Sequence, residues 1–461
     1  MDTTSEMKPR RLDRMLSVFA PVRAGEGATA LLLALNGFLI LAAYYVIRPL
    51  RDSYLLPVEF TLPGGNLLTG PEIRQYTGGI LAALFLFIVP AYGAFASKVN
   101  RIRLINWVTL FFVSNLVIFF LAGRFGLQGA ALGVSFYLWV GIFNLMVVAQ
   151  FWSFANDLYT PEQGKRLFAI VGFGASMGAI AGSLLIGRLI RPLGLFLPLL
   201  ISGGILLLCM AMTNFIHRRE RDRSPKLAQQ HADEPLGREG GFHLVLRHRY
   251  LLLIGLLTLT VQFVNTNGNY VLVRVLADAA SRAVAEGAAG GLDEGQFIGS
   301  FQASLDFYQN LLVVLIQLFL VSRIFQWVGV GGALFFLPLI ATFSYGLFIA
   351  APVLAFIRLA KILENATDYS LQNTLRRALF LPTSREAKYK ALQAVETFFW
   401  RSGDMLAAIA TLVLIQLLGM RVQQFAIFNL ALVAVWLLLA AALFRENRRL
   451  TNDSAERPAA Q

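Results

Sequence analysis

Cysteine is almost absent: the 461-residue sequence holds one, Cys209. A lone thiol can neither close an intramolecular disulfide nor build a cysteine-rich metal site, so the fold must rest on packing. Charge is scarce as well, at 15% Asp, Glu, Lys and Arg against roughly 25% in soluble domains. Histidine occurs four times, at His217, His231, His243 and His248, with spacings that match no metal-ligand pattern. Catalytic signatures are missing. The absence of G-x-x-x-x-G-K-[ST] removes the usual cradle for a hydrolysable nucleotide, and the absence of H-E-x-x-H removes a common metalloprotease site. The sequence therefore points to no enzyme and no cofactor. Any work would come from a solute gradient or from exchange.

What fills the chain instead is apolar sequence, 57% of residues, arranged in blocks of the length that crosses a hydrocarbon core. Twelve spans are expected: 29–47, 76–96, 104–122, 131–155, 167–187, 195–215, 250–273, 303–321, 330–349, 351–371, 391–418 and 422–444. Runs this long and continuous are helices rather than barrel strands, because in lipid every backbone group must be satisfied within the segment. The fold class is an all-α membrane protein. The expected organisation is a cytoplasmic start (1–28), a six-helix half (29–215), a polar linker (216–249), a second six-helix half (250–444) and a cytoplasmic tail (445–461). The basic start (Lys8, Arg10, Arg11, Arg14, Arg23) reads as the flank of an uncleaved first helix.

The +13 net charge has a topological explanation. With the N-terminus inside, 28 of the 40 Lys and Arg fall on the inner side, 9 on the outer side, and Arg358, Lys361 and Arg401 within spans. That bias places both termini in the cytoplasm and argues against nucleic acid as a partner. The partners expected are the bilayer and a small anionic solute, with no protein partner indicated.

The two halves look duplicated. Ile47-Arg48-Pro49-Leu50-Arg51-Asp52, closing the first span, matches Val273-Arg274-Val275-Leu276-Ala277-Asp278, closing the seventh, at an offset of 226. Ser97-Lys98-Val99 matches Ser322-Arg323-Ile324 at 225. Parallel six-helix repeats build transporters of the major facilitator type, with a solute site near the midplane. Within the fifth span, Gly174, Gly178 and Gly182 recur every four residues, a small-residue seam for close helix packing rather than a dinucleotide fingerprint.

Ionisable groups inside spans carry the functional expectations, since each costs roughly 2.5–3.5 kcal/mol to insert at the bilayer centre. Arg358, Lys361, Glu364 and Asp368 ladder along one face of the tenth span, either lining a polar seam or neutralising one another. Glu396, Arg401 and Asp404 lie on the eleventh, with Arg401 and Asp404 one turn apart. Asn144, Gln150, Asn265, Asn267, Asn269, Asp306, Gln309 and Asn310 are polar residues suited to interhelical hydrogen bonds or to solute contact. Arg48, Arg51 and Asp52 end the first span, where a guanidinium fork suits phosphate or carboxylate.

Three stretches resemble the ATP/ADP translocases of plastids and intracellular bacteria, a divergent branch near the major facilitators. They are IRPLRD (47–52), FWSFANDLYTPEQGKRLFAIVGFGAS (151–176) and YSLQNTLRRALFLPTSREAKYKALQAVE (369–396). The resemblance implies nucleotide exchange in a bacterial cytoplasmic membrane. Arg51 stands where that family has a first-span lysine, and Arg401 falls on a family arginine. Asp404 occupies a family lysine's place, and the family's glutamates of the fourth and seventh spans meet Val140 and Asn267 or Gly268. The expected solute-binding residues are Arg51, Arg401, Lys361, Asn144 and Asn265; Asp52, Glu364, Asp368 and Asp404 would set coupling and charge balance. Uncompensated charge in the empty site would enforce exchange. The alternatives are a proton-coupled transporter of another solute, with Glu364, Asp368 or Asp404 as carrier, and a transport fold kept as membrane anchor or sensor.

Overall fold

The computed structural model describes residues 17, 21–23, 25–61, 67–96, 99–127, 129–159, 161–223, 241–351, 353–383 and 391–456. Outside these lie Lys8, Arg10, Arg11 and Arg14 of the basic start, Ser97 and Lys98 of the second repeat match, linker residues 224–240 with His231, and residues 384–390 of the third resembling stretch.

Helix follows apolar sequence throughout. In chain order the elements are α1 (Gly27–Leu55), a small hairpin of β1 (Glu59–Thr61) and β2 (Leu67–Thr69), α2 (Gly70–Ala96), α3 (Arg101–Arg124), α4 (Ala130–Leu158), α5 (Pro161–Leu193), α6 (Leu197–Arg223), α7 (Gly241–Arg247) and α8 (Arg249–Ala285). Then come α9 (Glu294–Leu315), α10 (Val321–Ala333), α11 (Phe336–Ala350), α12 (Leu354–Thr367), α13 (Asn373–Ala378), α14 (Leu392–Ala394), α15 (Trp400–Thr411) and α16 (Val422–Glu456). Ten helical stretches among the described residues are long and apolar enough to cross a membrane. The ninth expected span is the fifteen-residue α11. The tenth is α12, which runs on through a widened π turn into α13.

Two local features were not anticipated. The antiparallel hairpin, pairing Glu59 with Thr69 and Thr61 with Leu67, sits between the first two spans. The loop expected at 322–329 is instead helical, because α9 continues through a π turn (Ile316–Leu320) into α10. The break comes at Gly329, whose φ of 70° is open to glycine and costly for other residues. Further π turns occupy Val395–Phe399 and Leu412–Leu417.

The chain forms two compact units. The first comprises Met1–Tyr54, Ala91–Asp233 and Gly295–Phe307; the second comprises Leu55–Pro90, Glu234–Glu294 and Tyr308–Gln461. In the first, Phe112, Phe136, Trp139 and Phe143 make an aromatic core in which Trp139 stacks on Phe136 and on Phe143 at 5.6 Å. The glycine seam closes this unit: a Cβ on Gly174, Gly178 or Gly182 would strike the backbone carbonyls of Ala34, Phe38 and Ala42 on α1. Helices α1 and α5 thus approach to backbone contact, which only residues without side chains permit. In the second unit α8 packs on α15 and α16, with Tyr270 edge-on to Phe425 at 5.3 Å. Large apolar side chains such as Phe87, Phe343 and Leu438 stay exposed, as a bilayer-facing surface requires.

At the start of α1, Glu26 takes a two-pronged ion pair from Arg166 of α5 (2.8 and 2.9 Å), with further hydrogen bonds from Gln163 Nε2 and the Arg23 N–H. Burial raises its carboxyl, but the hydrogen bonds from Arg166, Arg23 and Gln163 and the Arg166 charge outweigh burial and hold it below its ordinary value of 4.5. A depressed folded-state value stabilises at pH above 4.5 and loses that contribution as pH falls below it. Glu26→Gln should therefore lower the melting temperature in detergent at pH 7 and differ less and less from wild type on acidification. Parallel melting curves for the two proteins across pH 7 to 3.5 would refute this role.

Candidate functional site

The polar interior of the first unit is built at the C-terminal end of α1 and the start of α9. Arg48 pairs with the buried Asp306 at 3.3 Å. One turn on, Arg51 lies 3.6 Å from Asp52 and stacks over Tyr137 of α4 at 4.6 Å, while its Nε has no hydrogen-bond partner. Gln302 Nε2 donates to Asp52 at 3.0 Å, fixing the carboxylate from α9. Both arginines are half-buried, and Arg51 keeps an unsatisfied donor.

The second unit holds three such arrangements. Arg401 on α15 pairs with Asp404 at 3.5 Å and packs over Phe85 at 4.5 Å. Asp404 also accepts hydrogen bonds from Gln262 Nε2 and Thr266 Oγ1 of α8, both at 2.7 Å. Lys361 on α12 donates to Asn265 Oδ1 at 2.9 Å and pairs with Glu364 at 3.3 Å; Lys361 and Glu364 are each 3% exposed. Near the C-terminal half of α8, Arg274 reaches Glu72 at 3.0 Å and Thr69 Oγ1 at 2.8 Å, while Tyr270 OH donates to the same carboxylate at 3.3 Å.

Five cations thus each have a carboxylate of their own. The expected uncompensated charge is not what the geometry provides, because glutamate or aspartate stands beside every one of Arg48, Arg51, Arg274, Lys361 and Arg401. Of the tenth-span ladder, Lys361 and Glu364 neutralise each other inside the unit rather than lining an open seam.

Among the expected solute residues, Lys361 and Asn265 come together directly, and Arg401 with Asp404 reaches the same helix, α8, through Gln262 and Thr266. Asn144 lies on an exposed face of α4, and the neighbouring Phe143 is buried in the aromatic core. Asn267 is fully buried and bonds to Asn429 at 3.1 Å, a helix-to-helix tie.

Glu72, Gln302, Gln262, Thr266 and Tyr137 were not singled out from the sequence. One signal was available. The 226-residue offset equates Arg48 with Arg274, and both are paired arginines. Arg48 of the first half finds an acid on α9, and Arg274 of the second half finds one on α2, so each crosses to the other half's second long helix.

No family model matches the chain. It is 24% identical to ADP,ATP carrier protein 1 of Chlamydia pneumoniae over an alignment covering 96% of this chain and 95% of that one. It is 25% identical to the Chlamydia trachomatis ADP,ATP carrier protein 1, covering 65% and 62%. Among solved structures, the nucleoside transporter NupG superposes with a TM-score of 0.60 at 14% identity, covering 90% of this chain and 98% of that one. The fold is that of this solved structure, and the similarity to the Chlamydia pneumoniae carrier extends over nearly the whole chain.

Proposed function

We propose that the chain is a secondary transporter of the bacterial cytoplasmic membrane that moves an anionic, nucleotide-type solute by alternating access, with both termini in the cytoplasm. Full-length similarity to ADP,ATP carriers supports the cargo class. The observation that carries the reading is Arg51. Its guanidinium is stacked on an aromatic ring and has a buried Nε without a hydrogen-bond partner, beside a carboxylate that touches it only at 3.6 Å. A phosphate offers such a fork a better bidentate partner than Asp52 does. The second unit holds an anion-binding candidate of its own, Arg401 at 3.5 Å from Asp404.

In this reading cargo binding is an exchange of partners. At Arg51 an incoming anion displaces Asp52, which Gln302 keeps hydrogen-bonded; in the second unit an anion at Arg401 displaces Asp404 in the same way, and Gln262 and Thr266 hold the released carboxylate. The carboxylates then act as placeholders that keep the guanidinium groups from being buried alone.

Reconstituted protein in vesicles preloaded with unlabelled ATP should take up labelled ADP faster than into empty vesicles. Arg51→Ala should reduce that uptake by roughly ten- to a hundredfold, from about 1.5–3 kcal/mol for a hydrogen bond to a charged group. ATP or ADP should also raise the melting temperature of the purified protein, since a ligand of the folded state stabilises it by mass action. If ADP enters under no loading condition and neither nucleotide moves the melting temperature, the nucleotide reading is wrong.

A further inference from the structure

Besides Glu72, the second unit carries the buried carboxylates Glu364 and Asp368 and the half-buried Asp404. Asp404 and Glu364 are accounted for. Asp404 accepts two hydrogen bonds and pairs with Arg401, and Glu364 pairs with Lys361. Asp368 differs. It is 3% exposed, and neither of its oxygens has a hydrogen-bond partner. One turn before it on the same face, Glu364 Oε2 lies 3.3 Å from Lys361 Nζ, so the acceptors left without a partner here are the two Asp368 oxygens.

The backbone at this point is unusual as well. Asp368 opens the π turn Asp368–Gln372, which joins α12 to α13. A π turn inserts one residue into the helical ladder, gives up regular hydrogen bonding and recurs at functional sites. The charged groups around the carboxyl are Lys361 and Glu364 on α12 and Arg376 on α13. Lys361 is engaged by Glu364 and Asn265, and the buried Arg376 lies over the Trp400 ring at 4.2 Å. No donor from α12, α13 or the neighbouring helices reaches Asp368 as a hydrogen bond.

We infer that Asp368 is the binding site for a monovalent coupling cation, a proton or Na⁺, that travels with the solute. A buried carboxylate without a donor is expensive in low dielectric, and one positive charge bound there removes that cost. Asp404 and Glu364 are each held in an ion pair, so the role falls to the carboxyl whose oxygens accept no hydrogen bond. This rests on the transport reading above and adds to it a driving force: solute accumulation, not only exchange.

Reconstituted wild-type protein in vesicles without internal nucleotide is tested under an inward pH gradient and, separately, an inward Na⁺ gradient, with labelled ADP as the probe. One of the two gradients should stimulate uptake, and which one names the cation. Asp368→Asn should lose that stimulation while ADP/ATP exchange in preloaded vesicles continues. In the wild type, ADP entry should also be accompanied by lumenal acidification or by labelled Na⁺ entry, a readout that does not depend on the folding of any variant. Exchange in the wild type with no response to either gradient and no accompanying cation would overturn the coupling site and leave the transport reading standing, as would full gradient stimulation in Asp368→Asn. Absence of exchange in the wild type would overturn the transport reading itself, and the coupling site with it.

Discussion

Replacing Gly178 by leucine is expected to abolish recovery of folded protein. A Cβ at this position would overlap the Phe38 carbonyl, and backbone, unlike a flexible side chain, cannot swing aside. Relief would require α1 and α5 to separate along the whole seam, because Gly174 and Gly182 contact the backbone at Ala34 and Ala42 in the same way. Overpacking of a fitted interior costs about 3 kcal/mol or more when the neighbours cannot yield, a large share of the stability of an ordinary domain. Gly204→Leu is the matched control, since nothing lies within 4 Å of a Cβ there. The measurement is the monodisperse fraction and melting temperature after detergent extraction. A Gly178→Leu protein that behaves like Gly204→Leu would mean that the seam is not a close contact.

Lys361→Met is expected to destabilise the second unit by about 3–5 kcal/mol, the cost of stripping the partner from a buried charge. Both members of the Lys361–Glu364 pair are almost completely enclosed, so water cannot take over the solvation of Glu364. The double variant Lys361→Met/Glu364→Leu should recover most of the loss, because an apolar pair of similar volume avoids desolvation altogether. That recovery separates an electrostatic cause from simple damage to packing. If the single variant melts with the wild type, or the double variant is the less stable of the two, the pair does not hold the unit in the way described.

Much of the architecture could be read from residue order, for reasons that differ between features. The apolar blocks located the helices because the bilayer imposes a length. Gly174, Gly178 and Gly182 announced a seam because three small residues at one spacing have few other uses in an apolar helix. Arg401 with Asp404, and Lys361 with Glu364, were visible as neighbours three residues apart on a helix. What escaped notice is long in range or irregular in backbone. Glu72 is 202 residues from Arg274, and no periodicity connects them. Asp306 was noted as a polar residue, but its pairing with Arg48 depends on how α9 packs against α1. The π turns shift the helical register by one residue, so a face traced at 3.6 residues per turn drifts off the true one beyond Ile316 or Asp368.

The burial of Cys209 among α1, α3, α4 and α6, at 3% exposure, has a practical consequence. With no other thiol in the chain, the native protein is already a quiet background for maleimide chemistry. A single cysteine placed near Arg51 or Arg401 can be labelled from either face of a sealed vesicle, and its reagent access followed with and without nucleotide, without first constructing a cysteine-free parent.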